Sequence, residues 1–145
     1  MLDERFIGLD VGNKRIGVSL SDRLLLTAQP LKTINRMPEV KAIEELSKII
    51  KENGVTGIVV GLPKNMNGSI GFQADNVQNF AELLEQSFNL DIIFEDERLS
   101  SRQAERFLSE QNVKPSRNKG LIDVASAAII LQLYLDKRRI QNGRS

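Results

Sequence analysis

The chain has 145 residues, 41% hydrophobic and 27% charged, the balance of one globular domain long enough to bury its own core. It contains no Cys and no His, which excludes disulfides, thiolate nucleophiles, Cys/His zinc sites and Ser-His-Asp triads. The net charge of +1 is unevenly spread: residues 1–97 hold ten Lys/Arg against fifteen Asp/Glu and residues 98–145 ten against four, so the C-terminal third suits a phosphate-bearing partner or is simply a solvated cationic face.

The acidic start Met1-Leu2-Asp3-Glu4-Arg5 has no signal-peptide pattern and no apolar run reaches the ~20 residues of a membrane span, so a cytoplasmic protein with no membrane partner is expected. Two short apolar segments follow, Phe6-Ile7-Gly8-Leu9-Asp10-Val11-Gly12 and Ile16-Gly17-Val18-Ser19-Leu20, flanking the polar turn Asn13-Lys14-Arg15. They read as a hairpin whose first strand ends in the carboxylate Asp10. An unpaired buried ion costs several kcal/mol, so Asp10 calls for a partner such as a metal ion; the alternative is a carboxylate capping the Gly12-Asn13 turn.

Residues 24–34 can supply a third strand, which Pro30 assigns to an edge or irregular position. A helix opens at Met37-Pro38 with Val40, Ile43, Leu46, Ile49 and Ile50 on one face and closes at Asn53-Gly54. The continuous apolar run 57–62 marks a strand buried on both faces. A polar loop over 63–71 leads to a helix with Val77, Phe80, Leu83 and Leu84 on its apolar side, then to a strand over 90–97 that begins apolar and ends acidic. Ser100 with Gln103 resembles a capping box that starts a helix running to about residue 110. Residues 111–120 form a basic, mobile loop, residues 121–134 a buried apolar helix, and Lys137-Arg138-Arg139 begin a basic tail.

This order implies one α/β domain over residues 1–145: a mixed five-stranded sheet, antiparallel among the early strands and parallel among the later ones, flanked by helices. In open α/β sheets the functional crevice lies at the carboxyl ends of the strands, which is where Asp10 and the cluster Glu95-Asp96-Glu97 fall. Alternation sends Glu95 and Glu97 to one face and Asp96 to the other. Asp123 is a lone acid in an apolar helix; it faces a site, or else serves the helix dipole from the first turn, worth ~0.3–1 kcal/mol. Hard oxygen ligands of this kind favour Mg²⁺ or Mn²⁺.

The opening Gly8-Leu9-Asp10-Val11-Gly12 with Arg15-Ile16-Gly17-Val18-Ser19, the strand end Val60-Gly61-Leu62-Pro63 with Asn67-Gly68, the block Asp96-Glu97-Arg98-Leu99-Ser100-Ser101, and the helix Asp123, Ala127-Ala128, Leu131-Gln132 together resemble the YqgF/RuvX family of Holliday-junction-resolvase-like proteins. The match spans nearly the whole chain in the right order. It implies a ribonuclease H-like fold and a metal-dependent nuclease that matures the 5′ end of the small-subunit ribosomal RNA precursor. The family's acidic triad falls on Asp10, Glu97 and Asp123, which would hold one or two divalent ions; Glu97 is preferred to Glu95 on the Asp-Glu-Arg match alone.

Basic residues supply candidate contacts to a nucleic-acid backbone: Lys14 and Arg15 in the hairpin turn, Lys64 in the loop after the fourth strand, Arg98 beside the acids, and Lys114, Arg117 and Lys119 in the basic loop. Arg98 is equally read as a structural salt bridge, and Lys64 as part of a plain turn with a Ser69 cap. Aromatics are only 5% and Trp is absent, so shape and phosphate recognition are expected ahead of base stacking. RNA is the expected partner ahead of DNA. The competing readings are a resolvase of branched DNA, which requires a symmetric dimer, a catalytically silent nucleic-acid-binding assembly factor, and an actin-like phosphotransferase, which needs two such domains. The protein is expected to be a monomer or a homodimer.

Overall fold

Six consecutive residues without a charge, Gly57–Leu62, are all buried and form the strand next to the centre of the sheet. The computed structural model describes residues 4–62, 72–96 and 119–142. Along the chain these are β1 (Phe6–Val11), β2 (Arg15–Ser21), β3 (Ala28–Asn35), α1 (Glu39–Asn53), β4 (Gly57–Leu62), α2 (Phe72–Phe88), β5 (Asp91–Asp96) and α3 (Lys119–Asn142). The strands form one five-stranded sheet in the order β3-β2-β1-β4-β5. The β1, β2 and β3 pairings are antiparallel and the β1–β4 and β4–β5 pairings parallel, the expected mixed sheet.

Alternation along each strand divides the core into two faces. Ile7, Leu9, Val11, Ile16, Val18, Leu20, Ile58, Val60 and Leu62 pack under α1 and α2, against Leu46, Ile49, Val77, Phe80 and Leu84. Phe6 and Val59 face the other way, onto Ile130, Leu131 and Leu135 of α3. A fully buried Leu, Ile or Phe contributes about 1.5–3 kcal/mol relative to an exposed one, so both layers matter to stability. Among the described residues, no helix is long and apolar enough to cross a membrane.

Several sequence expectations shift. The third strand starts at Ala28 rather than residue 24, because Leu25 adopts a left-handed φ of 59° within a turn. Pro30 does lie on the sheet edge, where the register slips between Val18 and Ser19. In α1, Ala42 replaces Val40 on the core face; Val40 is 70% exposed. Gly54 ends that helix in the left-handed conformation, φ 62°, its N–H bonded to the Ile50 carbonyl. The last helix runs from Lys119 to Asn142, so Lys137-Arg138-Arg139 are helical rather than a tail. Lys137 pairs with Glu95 and Arg138 with Glu4, and these contacts hold the end of α3 to β5 and to the start of β1. The expected helix after Ser100 and the loops at 63–71 and 111–118 lie outside the described residues.

Candidate active site

Close approach of α3 to the sheet depends on a missing side chain. Gly17 in β2 pairs with Asp10 in β1, and a Cβ at Gly17 would lie 2.0 Å from the Asp123 carbonyl oxygen and 3.0 Å from the Val124 nitrogen. The helix backbone therefore rests on the sheet at the position beside Asp10. One turn further on, Gly8 repeats the arrangement, with Ala127 O 2.9 Å from where its Cβ would be. Ser19 locks the seam: its buried hydroxyl lies 2.8 Å from Ala127 O, to which it donates.

Asp10 has the parity of Phe6 and Gly8, the residues of β1 turned towards α3, so its carboxylate belongs to the face that α3 covers. Asp10 and Asp123, 113 positions apart, thus come to one corner of the sheet. Asp123 lies beyond the first turn of α3, which removes the helix-dipole reading of that residue. The Gly12 amide donates to the Arg15 carbonyl at 2.8 Å, closing the hairpin turn on itself; one of the two amides that a turn-capping role for Asp10 would use is thereby engaged.

Arg15 is the third component. Its Nε donates to Asp123 Oδ2 at 2.9 Å, and the two side chains remain 35% and 26% exposed. The guanidinium is therefore a counter-ion of the acidic corner and is still open to solvent. Lys14, next to it, is exposed. Glu95 faces α3 from β5, buried to 6% exposure and paired with Lys137, while Asp96 pairs with Leu62 and turns to the opposite face, as alternation requires. Glu97, Arg98, Lys64, Lys114 and Arg117 lie outside the described residues; Lys119 is the first residue of α3. Among the described residues no three His, Cys, Asp or Glu groups converge as a metal cluster. The carboxylates of Asp10 and Asp123, in a chain without His or Cys, are hard oxygen donors that suit a hard divalent cation rather than a soft one.

Sequence reasoning missed Arg36. It follows β3 with no periodic signal, yet it is buried to 6% exposure and braces the hairpin from the opposite side of the sheet. Its Nη1 donates to Gly12 O at 2.9 Å, its Nη2 to Asn76 Oδ1 at 3.2 Å, and its guanidinium carbon stands 4.7 Å above the Phe80 ring. Asn76 in turn donates to Asn13 Oδ1 at 2.9 Å. The turn that carries Lys14 and Arg15 is thus tied to α2.

The chain matches the RuvX family, described as Holliday junction resolvase, over residues 4–137. It is 54% identical to a protein of Clostridioides difficile over 136 residues, covering 94% of this chain and 96% of that one. It is 49% identical to a protein of Staphylococcus haemolyticus over 139 residues, covering 94% and 98%. Both relatives are described as candidate pre-16S rRNA nucleases. In fold the chain is similar to RuvC of T. thermophilus in complex with a Holliday junction substrate, at 12% identity and a TM-score of 0.60, covering 94% of this chain and 96% of that one. It is also similar to the fowlpox virus resolvase bound to Holliday junction DNA, at 12% identity and a TM-score of 0.56, covering 92% and 97%.

Proposed function

Since the chain belongs to the RuvX family, we propose that it is a divalent-metal-dependent nuclease that hydrolyses phosphodiester bonds at the 5′ end of pre-16S ribosomal RNA, in the cytoplasm. Asp10, Glu97 and Asp123 are its catalytic and metal-holding carboxylates. The observation that carries this reading is the junction at Gly17, where the Asp123 backbone is seated beside Asp10 on one face of the sheet.

Asp10 and Asp123 would hold Mg²⁺ or Mn²⁺ with Glu97 as the third oxygen donor. The ion pair of Glu95 with Lys137 assigns that acid to the seating of α3 and favours Glu97 for the site. Held by these carboxylates, a divalent cation would supply activation of water and stabilisation of negative charge on the departing oxygen. The protein supplies the rest. Asp10 is held by its pairing with Gly17 of β2, one residue beyond the last β1–β4 pair at Leu9, so its carboxylate is held at a set height above the sheet. Lys14 in the turn and Arg15 at the start of β2 lie beside it and bind the phosphate backbone, with Lys64, Arg98, Lys114, Arg117 and Lys119 extending the track. Phosphate contacts of this kind set position without reading sequence. RNA is favoured over DNA by the relatives' described substrate.

The test incubates wild type and Asp10→Asn with end-labelled precursor ribosomal RNA, single-stranded RNA and a four-way DNA junction, in Mn²⁺, Mg²⁺ or EDTA. Cleavage of the precursor that disappears both with EDTA and in Asp10→Asn is the expected result. Cleavage confined to the junction would move the substrate to branched DNA. Intact binding of the precursor without cleavage in any metal would make the protein an assembly factor.

A further inference from the structure

Arg15 occupies an oxygen that the metal needs. Its Nε is 2.9 Å from Asp123 Oδ2, so the guanidinium charge stands where a divalent cation on that carboxylate would be repelled and in part obstructed. The contact is not locked in. Both side chains keep a quarter to a third of their surface in water, and the backbone of Arg15 is fixed independently, by its pairing with Asn35 and by the Gly12 amide bond to its carbonyl. The side chain can therefore change partners while its Cα stays in place. A phosphodiester competes well for it: the guanidinium fork matches two phosphate oxygens, and such charge-assisted pairs are among the strongest hydrogen bonds available to a protein surface.

We propose that Arg15 is shared between two anions, the Asp123 carboxylate and a backbone phosphate of the bound nucleic acid, and that capture of Arg15 by the phosphate releases Asp123 Oδ2 to the divalent cation. The proposal rests on the nuclease reading of the site and gives it an order: the nucleic acid prepares the carboxylate and the metal then binds tightly. Because linkage is reciprocal, the metal also strengthens binding of the nucleic acid by the same factor. Arg15 acts here as a positioning residue for Asp123 and as a phosphate contact, and the thermodynamic signature of this exchange lies in metal affinity, not in rate.

The experiment measures Mn²⁺ affinity by titration calorimetry or by electron paramagnetic resonance of free Mn²⁺. It uses wild type, Arg15→Gln, Arg15→Met, Asp123→Asn, Asp10→Asn and the Arg15→Gln/Asp123→Asn double variant, each alone and with a cleavage-resistant 2′-O-methyl phosphorothioate single-stranded RNA. Without RNA, Arg15→Gln and Arg15→Met should bind Mn²⁺ roughly three- to tenfold more tightly than wild type, as expected for loss of one partly exposed competing cation. RNA should tighten Mn²⁺ binding to wild type by a similar factor and leave the two Arg15 variants nearly unchanged. Removing Arg15 in an Asp123→Asn background should have no such effect. Equal or weaker Mn²⁺ binding by the Arg15 variants, or equal tightening by RNA in variant and wild type, would overturn the exchange while leaving the nuclease reading intact. Mn²⁺ binding that Asp10→Asn does not alter would instead remove the metal site, and the proposal with it.

Discussion

Gly17 and Asp123 meet backbone to side-chain position: a Cβ on residue 17 would fall 2.0 Å from the carbonyl oxygen of residue 123 and 2.4 Å from its carbonyl carbon. Both obstructing atoms are main chain, so no rotamer change relieves the clash. Gly17→Ala should therefore lift α3 from the sheet at the point where Asp123 is seated. Overpacking of this kind costs about 1–3 kcal/mol. Metal-dependent cleavage should fall at least tenfold, because Asp123 moves relative to Asp10 while neither acid is altered. Thermal unfolding and Mn²⁺ titration of the variant check both parts; wild-type metal affinity in Gly17→Ala would show that the helix adapts without moving the carboxylate.

Arg36 supports the hairpin from beneath. Arg36→Met keeps most of the apolar stem and removes the donors to Gly12 O and Asn76 Oδ1 and the cation over Phe80. Hydrogen bonds from charged groups contribute ~1.5–3 kcal/mol, and the part-buried Gly12 carbonyl left without this donor adds to the loss. A destabilisation of roughly 2–4 kcal/mol in urea unfolding is expected, with faster amide exchange at residues 12–15. A change under about 0.5 kcal/mol would mean that water replaces the guanidinium at no cost, as it does at ordinary surface positions.

The turn after β2 carries a pH signature of its own. The Thr27 amide, donating to Asp22 Oδ1 at 3.0 Å, holds the Asp22 carboxyl below its ordinary 3.8, with the Leu26 and Leu24 amides adding to the effect and desolvation opposing it. A depressed folded-state value means that the ionised form is favoured by folding. The associated stability is present above about pH 4 and is lost as pH falls through the folded value. Carbon-detected NMR of the Asp22 carboxyl should give a midpoint under 3.8, and Asp22→Asn, which can still accept these bonds, should flatten the acid limb of stability. A midpoint at or above the ordinary value would show that the turn is open in solution.

How much was legible in the sequence follows from how local each signal is. The uncharged run of β4 and the apolar face of α2 with Val77, Phe80 and Leu84 are local patterns, and the structure has both as read. Pro30 announced the sheet edge through its missing donor. Val40 was misplaced because an apolar residue near a helix start satisfies the period as well as Ala42 does, and only packing against the sheet decides between them. Of the site, Asp10 stood out because a carboxylate interrupts an apolar strand. The partnership of Arg15 with Asp123 spans 108 residues and no spacing rule reaches that far. Arg36 was invisible for a related reason: Gly12 of the hairpin turn and Asn76 and Phe80 of α2 lie far from it in the chain, and its neighbours in sequence do not distinguish it from a surface arginine. The assignment of Glu97 rests on the family match, and that of the basic residues outside the described segments on their charge and loop position.

The seam between α3 and the sheet also has a consequence for biosynthesis. Residues 6–35 supply the floor of the site and α3 its roof, so a ribosome completes the floor well before the roof emerges. At the usual elongation rates the interval between Asp10 and Asp123 is on the order of ten seconds. During that interval the glycine-lined face has no cover and lacks Asp123, and a chain cut short before α3 carries Asp10 without that carboxylate. Under the proposed function, hydrolytic competence is acquired in one late step, when α3 docks and brings Asp123 to the sheet.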